Sequence, residues 1–472
     1  MFRIKSIQFN GFTKVLLNLL LIVPLVTISF HLGIAFLNNK EQVREEYLYD
    51  YREIYNNHLQ FRKWWGTDSL LPFRLKKHYS GVLKYEKPDT TNENYGGLNF
   101  LGSFFEKLIA KNTQVRIAYY GDSGIEADLV TQTLRDSLQK YFGGTGVGFL
   151  PITSRDPGYR QSINHYFSNL WRWESLENPS PMRNNPGISG NTFYTTQNDS
   201  IADQTAWISY RGKSFSPRTL TFPSMRFFYG KNENEGINGN LEWEIDGLVK
   251  TTLLEENELL NEIVFFDDPV NQIRIKANIP SGLPVYGCSI ESKTGVIIDN
   301  FALRGIDGSR LVRIPKTLLK EFQQKLNYDL IVFSYGLNVI NPARRDFYEY
   351  EEKIIRLIKH YRQAFPGIPI LLIGPPDKGI GSPGNIVSDP SIPRITKVMR
   401  KAAIRNETAF ISLYELMGGN GSMARWVENE KPRLASTDYT HFNYKGADKI
   451  SQQLFNIFLT ETNSLPQRVF NY

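Results

Sequence analysis

The chain has 472 residues, 41% of them hydrophobic and 22% charged, which is enough to bury two or three domain cores and too apolar for a disordered chain. A net charge of +7 would tolerate an anionic partner, but Lys and Arg are scattered without a basic stripe, which argues against nucleic acid. The single cysteine, Cys288, excludes an internal disulfide and a cysteine-built metal cluster.

Residues 15–37, VLLNLLLIVPLVTISFHLGIAFL, carry no Asp, Glu, Lys or Arg, and about 20 such residues cross a bilayer as a helix. Arg3, Lys5 and Lys14 precede this run without an acid. Residues 1–14 therefore read as a cytoplasmic tail and 15–37 as a transmembrane anchor, with the remainder extracytoplasmic, either periplasmic or on the cell surface. The run exceeds a usual signal h-region and no small-x-small site follows it, which favours an anchor over a cleaved signal. Residues 38–95 are charged and aromatic and then polar, a juxtamembrane helix and linker.

Residues 96–151 read as the first part of an α/β domain. In VRIAYYGDSGIEADLVTQTLRDSLQKYF, Val115, Ile117 and Tyr119 alternate as one face of a strand, and Val130, Leu134, Leu138 and Tyr141 recur at helical spacing. Residues 152–290 change to short alternating runs, including LEWEIDG and NQIRIKANI, separated by Gly, Asn and Pro. They predict a β-sandwich insertion, with NPSPMRNNPGISGNTFYTTQNDS as a surface loop or lid. Residues 291–472 return to α/β. The strand DLIVFSYG, a helix through Ile354, Ile358, Tyr361 and Phe365, and the strand IPILLIGPP form a β-α-β unit, so the sheet is parallel.

Ser123 lies between a buried strand and a helix, where a hydroxyl is exposed near backbone N–H groups. The same position suits a helix cap, and a nucleophile needs a base. Of six histidines, His31 falls in the apolar run, His58 and His78 in the juxtamembrane region, His165 in the insertion and His360 within a helix. His441 alone lies in a loop before the last helix, with Asp438 three residues earlier, and such loops converge on one crevice with Ser123. Gly308 and Asn338 stand at strand ends as candidate donors to an oxyanion, although turns also favour both residue types.

Gly-Asp-Ser, the loop of Gly308, Gly-x-Asn at Asn338 and Asp-x-x-His at His441 occur in that order, and together they resemble the SGNH (GDSL) hydrolase family. The resemblance implies a flavodoxin-like α/β/α sandwich with Ser123 as nucleophile, His441 as base and Asp438 as its orienting acid. It also implies an oxyanion hole from the N–H groups of Ser123 and Gly308 with the Asn338 side chain, and neither metal nor cofactor. The block GDSGIEADLVTQTLRDSLQKYFGGTGVGF is similar to envelope members that act on O-acetyl groups of peptidoglycan and other glycans and that carry a β-sandwich insertion like a carbohydrate-binding module, which implies that the insertion at 152–290 binds glycan. Two departures stand out: Gly124 where those relatives often have His, and Leu337 and Val339 around Asn338, where Asp commonly follows the Asn. The expected function is a membrane-anchored serine esterase acting on an O-acylated envelope polysaccharide. The alternatives are an O-acyltransferase partnered by a multi-spanning membrane acyl donor, and an inactive glycan-binding or assembly protein.

Overall fold

The computed structural model describes residues 94–470, apart from 179–184, 197–204, 233–238, 256–257, 267 and 383, with side chains as far as 465. The predicted tail, anchor and nearly all of the juxtamembrane segment lie outside the described residues. Among the described residues no helix is long and apolar enough to cross a membrane.

The α/β part runs β1 (Tyr95–Gly96), α1 (Gly102–Ala110), β2 (Gln114–Gly121), α2 (Thr131–Phe142), β3 (Gly295–Ala302), α3 (Lys316–Leu326), β4 (Tyr328–Ser334), α4 (Tyr348–Ala364), β5 (Ile370–Gly374), α5 (Ser391–Arg405), β6 (Ala409–Ser412) and α6 (Tyr444–Phe470). The strands lie in the order β1-β6-β5-β4-β2-β3. From β3 to β6 all neighbours are parallel, in the flavodoxin-like order that reverses direction beside β2. The sheet is not parallel throughout, because the two-residue β1 closes its edge antiparallel to β6.

Parallel strands covered on both faces are apolar on both faces, and β2 is buried from Val115 to Gly121. Val115, Ile117 and Tyr119 pack with α1, α2 and α6, while Ala118 and Tyr120 join the core under α3, α4 and α5. On α2, Val130, Leu134 and Leu138 are buried as expected, but Tyr141 is 46% exposed and Phe142 is buried in its place. Position 142 is four residues beyond Leu138 and stays on the stripe, whereas 141 drifts off its edge.

Between α2 and β3 the chain builds two antiparallel sheets. One has five strands, ordered Leu248–Leu253, Asn240–Ile245, Gln272–Asn278, Ala206–Gly212 and Ile163–Phe167; the other is six-stranded and centred on Met225–Gly230 and Val285–Ile290. Ile208, Tyr210 and Ile275 of the first share a core with Phe227, Val285 and Cys288 of the second, so the sheets form a sandwich. Its first strand is Gly148–Leu150, which pairs with Val285–Ile290. The segment read as a loop or lid instead contributes Asn191–Thr195 as a fully buried strand paired with Trp171–Ser175. Its aromatic and β-branched residues outweigh the Gly, Asn and Pro that flank it.

The sandwich meets the parallel sheet through charge. The Arg116 guanidinium of β2 is fully buried and donates to both oxygens of Asp299 on β3, at 2.7 and 3.0 Å, and also to Glu291 and Ser289 at the end of the sandwich. Asp299 further accepts the Phe149 N–H at 2.7 Å and the Tyr328 hydroxyl at 2.6 Å. Burial opposes the charge on Glu291, but Arg116 and Arg226 hold its carboxyl down at about 2. Asp299→Ala leaves a buried guanidinium short of its main partner, and is expected to cost about 3–5 kcal/mol of stability in urea unfolding; a loss below about 1 kcal/mol would show that this network carries little of the fold.

Candidate active site

Ser123 opens a tight 3-10 turn after β2, with Asp122 as its N-cap. The cap is therefore Asp122 and not Ser123. Asp122 Oδ1 accepts the Gly124 N–H at 2.9 Å, which leaves the Ser123 hydroxyl free for another partner. That partner is His441, whose Nε2 lies 3.0 Å from Ser123 Oγ. On its other side His441 Nδ1 is 2.7 Å from Asp438 Oδ2. An ionised carboxylate only accepts, so Nδ1 carries the proton and Nε2 presents its lone pair to the serine O–H.

Asp438 is held as an anion by its surroundings. Burial alone would push its carboxyl up, but the hydrogen bonds from the His441 ring and from the N–H groups of His441 and Thr440 outweigh it and keep the carboxyl below the ordinary range. The triad is open to water, with His441 and Asp438 side chains 41% and 49% exposed.

The structure brings Gly308 and Asn338 to this end of the sheet in different ways. Gly308 is buried at φ +84°, and a Cβ there would lie 2.8 Å from the Tyr335 ring, so both backbone conformation and space require glycine. Its loop is pinned by Asp307, which accepts from Lys353 at 2.9 Å and whose carbonyl accepts the Tyr350 hydroxyl. Asn338 differs from the expected geometry. Both N–H bonds of its amide are already committed, one to Asp122 Oδ2 and one to the Ile306 carbonyl, each at 3.0 Å. A flipped amide would set its oxygen against two acceptors, so this orientation is the one the chemistry permits. Asn338 thus ties the loop of Gly308 to the residue before the nucleophile, and the donors left for an oxyanion are backbone N–H groups.

Asp122 was visible in the sequence only as part of Gly-Asp-Ser, yet it holds the site together. It is 4% exposed, and burial pushes its carboxyl up to about 6 against the opposing effects of Gly124, His441 and Asn338. The other histidines in the described residues serve structure: His165 Nε2 bonds the Ile152 carbonyl and His360 Nε2 the Ile314 carbonyl. Among the described residues no group of three or more His, Cys, Asp or Glu is arranged to hold a metal. Beside the triad is a cavity of about 20 Å³, lined by Tyr119, Asp122, Leu337, Pro375, Leu413 and His441 among others. It holds roughly one methyl group or one water.

Two outcomes follow. Gly308→Ala forces the loop away from Tyr335, and if the Gly308 N–H meets the oxyanion, kcat is expected to fall by about 10²–10³ with the fold retained by circular dichroism. A native carboxyl that titrates above its unfolded value binds the extra proton in the folded state, so Asp122 makes stability decline as pH rises from about 4 to about 6. Asp122→Asn is expected to remove that decline, read as the difference between the two stability-against-pH curves.

Residues 284–449 match the family model of the GDSL-like lipase/acylhydrolases. No curated protein matches the chain. Among solved structures, a peptidoglycan O-acetylesterase superposes with a TM-score of 0.61 at 18% identity, covering 77% of this chain and 96% of its own. A salicylyl-acyltransferase from a tetracycline biosynthetic pathway matches with a TM-score of 0.27 at 10% identity, covering 65% of this chain and 99% of its own. A family two carbohydrate esterase from Cellvibrio japonicus gives 0.24 at 8% identity, with 63% and 98% covered.

Proposed function

Residues 284–449 match the GDSL-like lipase/acylhydrolase family model, and from that premise we propose that the chain is an SGNH serine esterase that removes acetyl groups from the hydroxyls of a cell-envelope glycan. The observation that carries this reading is the unbroken chain from Ser123 through His441 to Asp438. In the first half-reaction His441 Nε2 takes the serine proton as Oγ bonds the ester carbonyl carbon. The oxyanion is met by backbone N–H groups, those of Ser123 and Gly308. Collapse breaks the bond to the sugar oxygen, which leaves with the proton from His441. Water then repeats the sequence on the acyl-enzyme and releases acetate, restoring Ser123.

Four observations support the details. The triad's exposure gives water direct access to an acyl-enzyme, which favours hydrolysis over transfer to a second sugar. The small cavity beside the triad suits an acetyl methyl and crowds a longer chain. The likeness to a peptidoglycan O-acetylesterase supports the choice of an envelope glycan. The apolar run at 15–37 supports attachment to a membrane with the site on its outer side.

Acetate release by the full-length protein from p-nitrophenyl acetate and from O-acetylated peptidoglycan tests the reading. Ser123→Ala and His441→Ala are each expected to lower kcat/KM by about 10³-fold or more, and p-nitrophenyl butyrate to turn over far more slowly than the acetate. The esterase reading is overturned by an inactive wild type or by variants that match it. Acetyl release that requires an added sugar acceptor would assign the protein to acyl transfer instead.

A further inference from the structure

Residues 155–162 leave the sandwich and pass beside the catalytic loops, fastened at both ends to the turn that carries the nucleophile. At one end Asp156 accepts from Arg304 Nη2 at 3.1 Å, and the same nitrogen lies 2.6 Å from Glu126 in the nucleophile turn. At the other end the Ser162 hydroxyl donates to Asp128 at 2.6 Å, and Gln132 of α2 donates to Gln161 at 3.1 Å. Between these anchors Pro157–Tyr159 forms a single 3-10 turn, and the Tyr159 carbonyl accepts the Tyr444 hydroxyl at 2.6 Å. Tyr444 begins α6, three residues after His441. The residues flanking Tyr159 are therefore tied to the turn of Ser123, and its carbonyl to the first residue of α6, yet Tyr159 remains 65% exposed.

An exposed aromatic ring on a doubly anchored turn is not needed by the core. It offers a flat apolar face carried on a backbone already tied in place, so a ligand that stacks on it has only the ring's own rotation left to restrain. A pyranose presents a matching apolar face of C–H bonds with hydroxyls around its rim, and the neighbouring Tyr444 hydroxyl lies within the same lip. We infer that Tyr159, with Tyr444 beside it, receives the sugar ring whose acetyl group is presented to Ser123, and so selects sugar esters over simple acetate esters. The inference rests on the esterase reading and adds the leaving-group side of the site, supplied by the sandwich rather than by the hydrolase sheet.

The test compares the full-length wild type, Tyr159→Ala and Tyr159→Trp on two substrates. One is a soluble 6-O-acetylated N-acetylhexosamine oligosaccharide; the other is vinyl acetate, which has no ring to stack. Tyr159→Ala is expected to raise KM for the sugar ester about tenfold with kcat within about twofold, to leave vinyl acetate hydrolysis unchanged, and to be rescued by Tyr159→Trp. An unchanged KM for the sugar ester, or equal losses on both substrates, overturns the lip. A wild type that hydrolyses vinyl acetate but not the sugar ester also overturns it while leaving the esterase chemistry standing, whereas a wild type inactive on both removes the esterase reading and the lip together.

Discussion

The buried guanidinium of Arg116 has no water to solvate it, and its burial is tolerated only because Asp299, Glu291 and Ser289 surround it. Those partners come from β3 and from the closing end of the sandwich, and Asp299 also takes an N–H from the sandwich's first strand. The point where the chain leaves the parallel sheet and the point where it returns are thus bonded to one another through a single charge. Because β2 ends in Gly121 and runs directly into Asp122 and Ser123, the strand fixed by this network is also the one that places Ser123 against His441.

The site itself is built from a few groups that each restrain a neighbour. Asp122 caps the turn of Ser123 and grips Asn338, and Asn338 grips the Ile306 carbonyl two residues before Gly308. On the other flank Asp438 orients His441 by its ring and by its main chain. The side chains around Ser123 and His441 are thereby held in place by the protein itself, the preorganisation that electrostatic catalysis depends on.

Much of this was legible in the residues. That neighbouring strands run parallel followed from β-α-β patterning, and His441 stood out because it lies in a loop before the last helix with Asp438 three residues earlier, whereas His165 and His360 fall in the insertion and within a helix. What escaped reading depended on partners distant in sequence. The direction of the Asn338 amide is decided by Asp122, 216 residues away, and by Ile306. The strand Asn191–Thr195 forms because Trp171–Ser175 lies beside it, and local Gly, Asn and Pro disguised it as loop. Tyr159 gave no periodic or motif signal, since its setting is made by Arg304, Asp128 and Tyr444 from three other stretches of chain.

The core beneath α3, α4 and α5 does not stop at the hydrolase sheet. Phe149, Phe228 and Tyr286 of the sandwich are buried in it with Phe322 of α3, and ring contacts such as Phe149–Phe322 at 6.4 Å and Tyr286–Phe322 at 5.6 Å cross the seam. Neither half can lose its structure without opening the apolar interior of the other. Melting of the two halves is for that reason expected to be coupled, and limited proteolysis that removes the sandwich is expected to leave the remaining α/β fragment without its shape.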